Sequence, residues 1–253
     1  MLTHLHRAML LTAIPLLVNA QALPSADAIL DRYVEVTGGK AAYQKLTSEV
    51  LEGTIAFPEQ GISGKLTRYS AAPDKEYSVV ELGPIGKIES GFANGVAWDK
   101  SAMIGPRVKA GEERQQALRE ARFNSAYEWR SLFSKTEIAG TETIDGEECD
   151  KVTLTPRSGR AETQFYSKKS GLLMKTVMTA ASPMGDVNVE STASDYKDFG
   201  GILYPSRTVQ KAAAQKVELT ITNISFNQPI PAEYFDMPAE IKALLPKAKA
   251  VAK

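Results

Sequence analysis

Between residues 48 and 226 this chain repeatedly alternates apolar and polar residues and is repeatedly cut by turn signals, a pattern that a large antiparallel sheet satisfies and a parallel βαβ array does not. Leu51, Gly53, Ile55 and Phe57 alternate with Glu52, Thr54 and Ala56, which predicts a strand with one buried face. Further strands are predicted near 62–71, 74–82, 85–92 and 94–99, separated by Pro73, Gly83-Pro84 and Asn94-Gly95. The last pair is a strong hairpin signal. A second series is predicted at 136–144, 148–156, 161–168, 171–181, 185–198, 202–212 and 215–226, with tight turns at Asp145-Gly146 and Ser170-Gly171. Val217, Leu219 and Ile221 share a face that Ile224 and Phe226 regain only with one extra residue, so a bulge is expected near Thr222-Asn223.

Two helical stretches flank or interrupt the strands. Ile29, Leu30, Tyr33 and Val34 fall on one face at helical spacing, behind Ser25 as N-cap and ahead of Gly38-Gly39 as a left-handed C-terminal cap. Residues 40–46 then make a short helical turn. Residues 111–134 contain few β-branched residues and carry Glu112 and Glu113 in a first helical turn. Ser125 and Glu128 have capping-box spacing, which predicts a second helix from there to Phe133. The fold class is therefore mainly β with a few helices (α+β): a curved antiparallel sheet with a helical insertion.

The first residues read as a secretory signal: a basic stretch ending at Arg7, an apolar run from Ala8 to Val18, and small residues at Ala20 and Ala22. The apolar run is about half the roughly 20 residues a membrane-spanning helix needs. Residues 1–20 are expected to be removed, after Ala20 or Ala22, leaving one domain at 21–238 and a loosely held or partly helical tail at 239–253. The exported body is expected in the periplasm, free of a lipid-bearing N-terminal cysteine.

Several function classes lose their chemistry at this point. The chain has 30 Lys+Arg and 30 Asp+Glu, so it offers no basic field for nucleic acid. Its two histidines, His4 and His6, lie in the signal. The remainder can form no Ser-His-Asp triad, Cys-His pair or His-ligated zinc site. Cys149 is the single cysteine and is flanked by Glu147, Glu148 and Asp150, whose charge suppresses the thiolate. It forms no intramolecular disulfide and reads as structural. Gly38-Gly39-Lys40 lacks the first glycine and the Ser or Thr of a phosphate loop. No catalytic residue, metal site or cofactor is expected.

Aromatic and methionine residues cluster more informatively. Phe123, Tyr127, Trp129, Leu132 and Phe133 lie in the helical insertion, with Met174 and Met178 in a later strand. They form either core beneath helices that cover a sheet or, with Phe92 and Trp98, the lid and walls of an apolar ligand cavity.

Several motifs resemble the LolA/LolB-type lipoprotein-carrier superfamily. They are Gly64-Lys65-Leu66 leading through Pro73-Asp74-Lys75, the turn Asn94-Gly95-Val96-Ala97-Trp98, the strand Val152-Thr153-Leu154-Thr155-Pro156-Arg157, and the hairpin running from Asp195-Tyr196-Lys197 to Leu203-Tyr204-Pro205. The resemblance implies a half-open β-barrel with a helical lid over a hydrophobic cavity. It also implies a non-catalytic periplasmic carrier for a lipid or acylated protein, working between an inner-membrane donor and an outer-membrane acceptor. A lipid sensor or adaptor acting on a membrane regulator is the alternative, and a carboxylate-based hydrolase a third. The chain departs from the family at Ala72, where the classical carrier has an arginine that helps to hold the lid closed; Arg68, four residues upstream, needs a different geometry to replace it.

Overall fold

The computed structural model describes residues 24–182 and 185–246; the predicted signal and the last residues of the tail lie outside them. Helices α1 (Ala26–Val36) and α2 (Lys40–Tyr43) precede strands β1 (Ser48–Phe57), β2 (Ile62–Ala71), β3 (Lys75–Glu81), β4 (Lys87–Ala93), β5 (Val96–Ser101) and β6 (Gly105–Val108). Helices α3 (Gly111–Glu120) and α4 (Trp129–Leu132) follow. The chain continues through β7 (Phe133–Ile144), β8 (Glu147–Pro156), β9 (Glu162–Ser167), β10 (Leu173–Ser182), β11 (Gly185–Phe199), β12 (Ile202–Ala212) and β13 (Gln215–Phe226) to α5 (Ala239–Leu244).

The 13 strands of the described residues form one sheet, in the order β6-β5-β4-β3-β2-β1-β13-β12-β11-β10-β9-β8-β7. Every pairing is antiparallel, and every neighbouring pair except β1–β13 is consecutive in the chain. The turns have the backbone their residues favour. Asn94 and Gly95, like Asp145 and Gly146, all have positive φ, as two-residue hairpins of matching twist require. The bulge also falls where the pattern demands it: Glu52 pairs with Asn223 and Gly53 with Ile221, which leaves Thr222 as the extra residue.

The sheet curves without closing. Strands β5 and β10 are eight strands apart, about 38 Å along a flat sheet. Yet α3, ten residues and about 15 Å long, touches both. Only a sheet bent round its own concave face brings those strands within reach of one short helix.

Helix α1 begins as the sequence predicts, with Ser25 Oγ accepting from the Ala28 N–H at 3.2 Å. It ends at Gly38 and Gly39, both at positive φ. A Cβ at Gly38 would lie 2.8 Å from the Gly201 carbonyl oxygen, so the close approach of the helix end to the β11–β12 turn also requires glycine. The apolar face of α1 (Ala26, Ile29, Leu30, Val34) packs with Tyr43, Trp129, Val152, Leu154, Tyr166 and Ile202 into the largest core cluster.

Three expectations change. Strand β6 is additional; its four residues include Gly105 and Pro106 and read locally as a turn. The second insertion helix starts at Trp129 instead of Ser125: Asn124 turns the backbone left-handed (φ 54°), and the Glu128 carboxylate is taken by Arg122 at 3.4 Å. The beginning of the tail is docked. After β13 the chain crosses the face of the sheet opposite the helices, where Tyr234 stacks on Tyr69 at 4.1 Å, and Ile241 of α5 is fully buried.

Candidate functional site

Cross-strand register decides which residues share the concave face. Leu51, Arg68, Ser78, Ser90, Asp99 and Arg107 are successive partners across β1 to β6. Two residues along the strands, Glu49, Ser70, Glu76 and Phe92 form a parallel row. A row between them, Val50, Tyr69, Tyr77, Gly91 and Trp98, points to the opposite, convex face. The concave surface of this arm is thus largely polar. In the other arm β8, β9 and β10 present Leu154, Tyr166, Leu173 and Met178.

Beneath the helices two chambers adjoin. The apolar chamber, about 390 Å³, has Leu30, Trp129, Phe133, Leu154, Tyr166 and Met178 among its walls. The polar chamber, about 140 Å³, is lined by Arg68, Glu49, Ser70, Glu76 and Phe123, among others. Tyr33, Tyr204, Glu120, Ser125 and Ala126 line both.

Helix α3 closes the mouth with polar contacts. Arg107 donates to both Glu113 carboxylate oxygens at 2.8 Å, and Arg114 Nε donates to the Gly95 carbonyl oxygen at 2.8 Å. Across the opening, Arg119 donates to the Ser158 carbonyl oxygen at 2.8 Å, Ser158 Oγ donates to Gln115 at 2.8 Å, and the Arg160 N–H donates to Glu112 at 3.0 Å. No α3 residue is fully buried; Ala117 and Leu118 make its apolar contact, against Phe92, Ala97 and Ala121. Helix α4 is tied to α1, since Arg130 grips Asp31 with two contacts of 2.7 Å and stacks on Trp129, whose Nε1 donates to the same Asp31.

At the corner where the classical carrier has its arginine, the lid is held by other groups. The Phe123 N–H donates to the Pro73 carbonyl oxygen at 3.0 Å, and Asn124 Nδ2 donates to the Tyr43 carbonyl oxygen at 2.9 Å. Arg68 does not reach the lid. It donates to Glu49 at 2.8 Å and to the Tyr204 hydroxyl at 3.2 Å, and its Nε–H is buried without an acceptor.

The sequence-predicted site residues separate into groups. Trp129, Leu132, Phe133 and Met178 line the apolar chamber, and Phe123 lines the polar one. Phe92 lies on the concave face, where it anchors the end of α3. Tyr127 stacks on Tyr43 at 6.2 Å and lines shallow clefts outside the two chambers. Trp98 is on the convex face against Gly91, where a Cβ would lie 2.6 Å from the indole. Met174 also points away from the chambers, into the cluster of Ile144, Cys149 and Phe165, because the β10 pairing shifts register between Leu173 and Lys175.

The polar chamber was not anticipated. Its residues Glu49, Arg68, Ser70 and Glu76 come from three strands, and on each the charged residue shares its face with apolar or small uncharged ones, so no single strand marks the chamber. The available signal was cross-strand arithmetic: with turns at 58–61 and 72–74, Glu49, Ser70 and Glu76 fall into one row.

Burial raises the pKa of the Glu76 carboxyl, against the nearby Arg68 charge. Burial likewise raises that of Glu162, at the end of a relay in which Tyr166 donates to Gln164 and Gln164 donates to Glu162 at 2.6 Å. Cys149 has no exposed surface, and burial followed by the Glu147 charge pushes its thiol up, as befits a structural residue. Among the described residues no group of three or more His, Cys, Asp or Glu is placed to hold a metal ion, and no helix is long and apolar enough to cross a membrane.

Solved structures share this architecture at low sequence identity. A LolA superfamily protein from Nitrosomonas europaea superposes with a TM-score of 0.59 at 14% identity, over 85% of this chain and 99% of that one. A DUF1329 family protein from Desulfovibrio piger gives 0.57 at 14% identity, over 83% and 97%. A Vibrio parahaemolyticus domain described as an outer-membrane lipoprotein-sorting protein gives 0.54 at 12% identity, over 83% and 97%. The fold is therefore the LolA-like open half-barrel, an antiparallel curved sheet with a few helices. No curated protein matches the sequence. The model of the domain of unknown function DUF4412 matches residues 114–241, half of the chain, and the protein belongs to that family.

Proposed function

We propose that this protein is a non-catalytic periplasmic carrier that holds a lipid, or the acyl chain of a lipoprotein, in its apolar chamber. Cargo is taken from a donor at the inner membrane and released to an acceptor at the outer membrane. The observation that carries this reading is the pairing of an apolar chamber of about 390 Å³ with a closing helix held chiefly by polar contacts. The volume lies within the ~300–1,000 Å³ of small-molecule sites, and each buried CH₂ contributes about 0.8 kcal/mol without any specific polar contact. A typical hydrogen bond contributes only about 0.5–1.5 kcal/mol net, so releasing the far end of α3 is an inexpensive motion that a partner can bias.

Protein isolated gently from an exporting host is expected to carry co-purified lipid in native mass spectrometry, and to bind the uncharged fluorophore N-phenyl-1-naphthylamine once stripped. A bare polypeptide that also leaves the fluorophore dark overturns the carrier reading.

A further inference from the structure

The polar chamber contains two carboxylates, Glu49 and Glu76, beside Arg68 and Ser70, whereas Glu162 in the wall of the apolar chamber is engaged by Gln164 at 2.6 Å. Such groups are costly to bury unless paired, and the pairing is incomplete. Glu49 is matched to Arg68 at 2.8 Å. Glu76 is half-buried and Ser70 buried, and neither the Glu76 carboxylate nor the Ser70 hydroxyl has a hydrogen-bond partner among the described residues. The Arg68 Nε–H also lacks an acceptor. The Arg68 side chain keeps 30% of its surface accessible although the half-barrel surrounds it, as expected of a group that faces a void.

We propose that the polar chamber is a headgroup subsite for the uncharged, hydroxyl-bearing end of an acylglycerol-type amphiphile whose hydrocarbon chain lies in the adjoining apolar chamber. The proposal rests on the carrier reading and narrows its cargo.

Three observations select this chemistry. The unused groups are of both kinds, since the Glu76 carboxylate accepts and the Ser70 hydroxyl donates or accepts. A hydroxyl or ester end satisfies such a mixture, whereas a purely accepting anion does not. The charge balance also disfavours an anion. The two cations lining the chamber are already engaged, Arg68 with Glu49 and Arg122 with Glu128, while Glu76 and Glu120 remain. Size agrees as well: about 140 Å³ is close to the ~150 Å³ that accommodates benzene, which like glycerol has about six non-hydrogen atoms. The two chambers share Tyr33 and Tyr204 as walls, so one molecule has its polar end and its chain on either side of the same two rings.

The test is displacement of N-phenyl-1-naphthylamine from delipidated full-length mature protein at neutral pH. Three competitors of equal chain length are used below their micellar concentrations: a monoacylglycerol, the free fatty acid and the lysophosphatidic acid. The monoacylglycerol is expected to compete about tenfold more tightly than either anion, the order of one well-placed hydrogen bond. In Glu76→Leu its affinity is expected to fall about tenfold while fluorophore binding stays within about twofold. Ser70→Ala, a smaller change, is expected to act in the same direction. Equal or tighter competition by an anion, with the fluorophore bound, overturns the headgroup subsite and leaves the carrier reading standing. Failure of the wild-type protein to bind the fluorophore overturns both.

Discussion

Met174 and Met178 lie four residues apart on one strand, a spacing that keeps two side chains on the same face of any regular sheet. The register shift at Met174 separates them. Met178 lines the apolar chamber, while Met174 packs with Ile144, Cys149 and Phe165 on the far side. Their substitutions should therefore have different consequences. Met174→Ala is expected to lower the unfolding free energy by about 1–3 kcal/mol, measured in urea, with fluorophore affinity unchanged. Met178→Asp brings a charge into the chamber wall and is expected to weaken fluorophore binding by about tenfold or more. The reverse pattern would return Met174 to the cavity. Trp98 illustrates the same limit of sequence reading. Strict alternation shows that Trp98 and Ala97 face opposite ways, but not which way is concave; that depends on where α3 and the C-terminal segment dock. Glycine provides a clue, because a bare position opposite a tryptophan, as at Gly91, marks the face on which the indole must lie flat.

At the scale of elements, α3 is the part whose attachments are unequal. Its β5–β6 end is fixed by the bidentate Arg107–Glu113 pair and by Arg114 on Gly95. Its attachment to the 158–160 turn consists of single hydrogen bonds through Arg119, Gln115 and Glu112. The weaker side should open first, with the β5–β6 end as hinge. An Arg119→Ala, Glu112→Ala double variant is expected to lose less than about 1–2 kcal/mol of stability. It should also speed fluorophore release several-fold in stopped-flow mixing; unchanged release rates would place the opening elsewhere. These tethers were not legible in the sequence, because each joins residues some 40 to 50 positions apart across a curvature that no local pattern encodes. The strands themselves were legible, since alternation and positive-φ turns are local properties. Strand β6 was missed for the complementary reason: with Gly105 and Pro106 in four residues, only pairing to β5 makes it a strand. The capping-box spacing at Ser125 failed because Arg122 offers Glu128 a different partner.

For the molecule as a whole, the carboxylates with shifted titration fall into two sets that affect stability in opposite senses. Asp31 and Glu113 accept hydrogen bonds from Arg130 and Arg107, which lower their pKa values. Their contribution is present above the ordinary carboxylate range and is lost as pH falls through the lowered values. Glu76 and Glu162 are raised, chiefly by burial. Around Glu76 the charges of Glu120 and Glu49 add to that rise while Arg68 and Lys109 oppose it; around Glu162, Glu120 adds while Gln164 and Arg119 oppose. These two therefore favour the folded chain while protonated, an advantage fully present below the ordinary value near 4.5 and lost as pH rises through the raised values. A chain that retains two such groups at neutral pH is stabilising its interior less than Gln at the same positions would, a sacrifice intelligible if the carboxylates serve an occupant. The Glu76→Gln, Glu162→Gln double variant is thus expected to be more stable than the parent at neutral pH. That excess should shrink as pH falls through the raised values and vanish toward 4.5, measured as unfolding free energy by urea titration at each pH. A difference that stayed constant across this range would mean that neither carboxyl titrates differently in the folded and unfolded chain, and would remove the energetic argument for a charged interior reserved for a ligand.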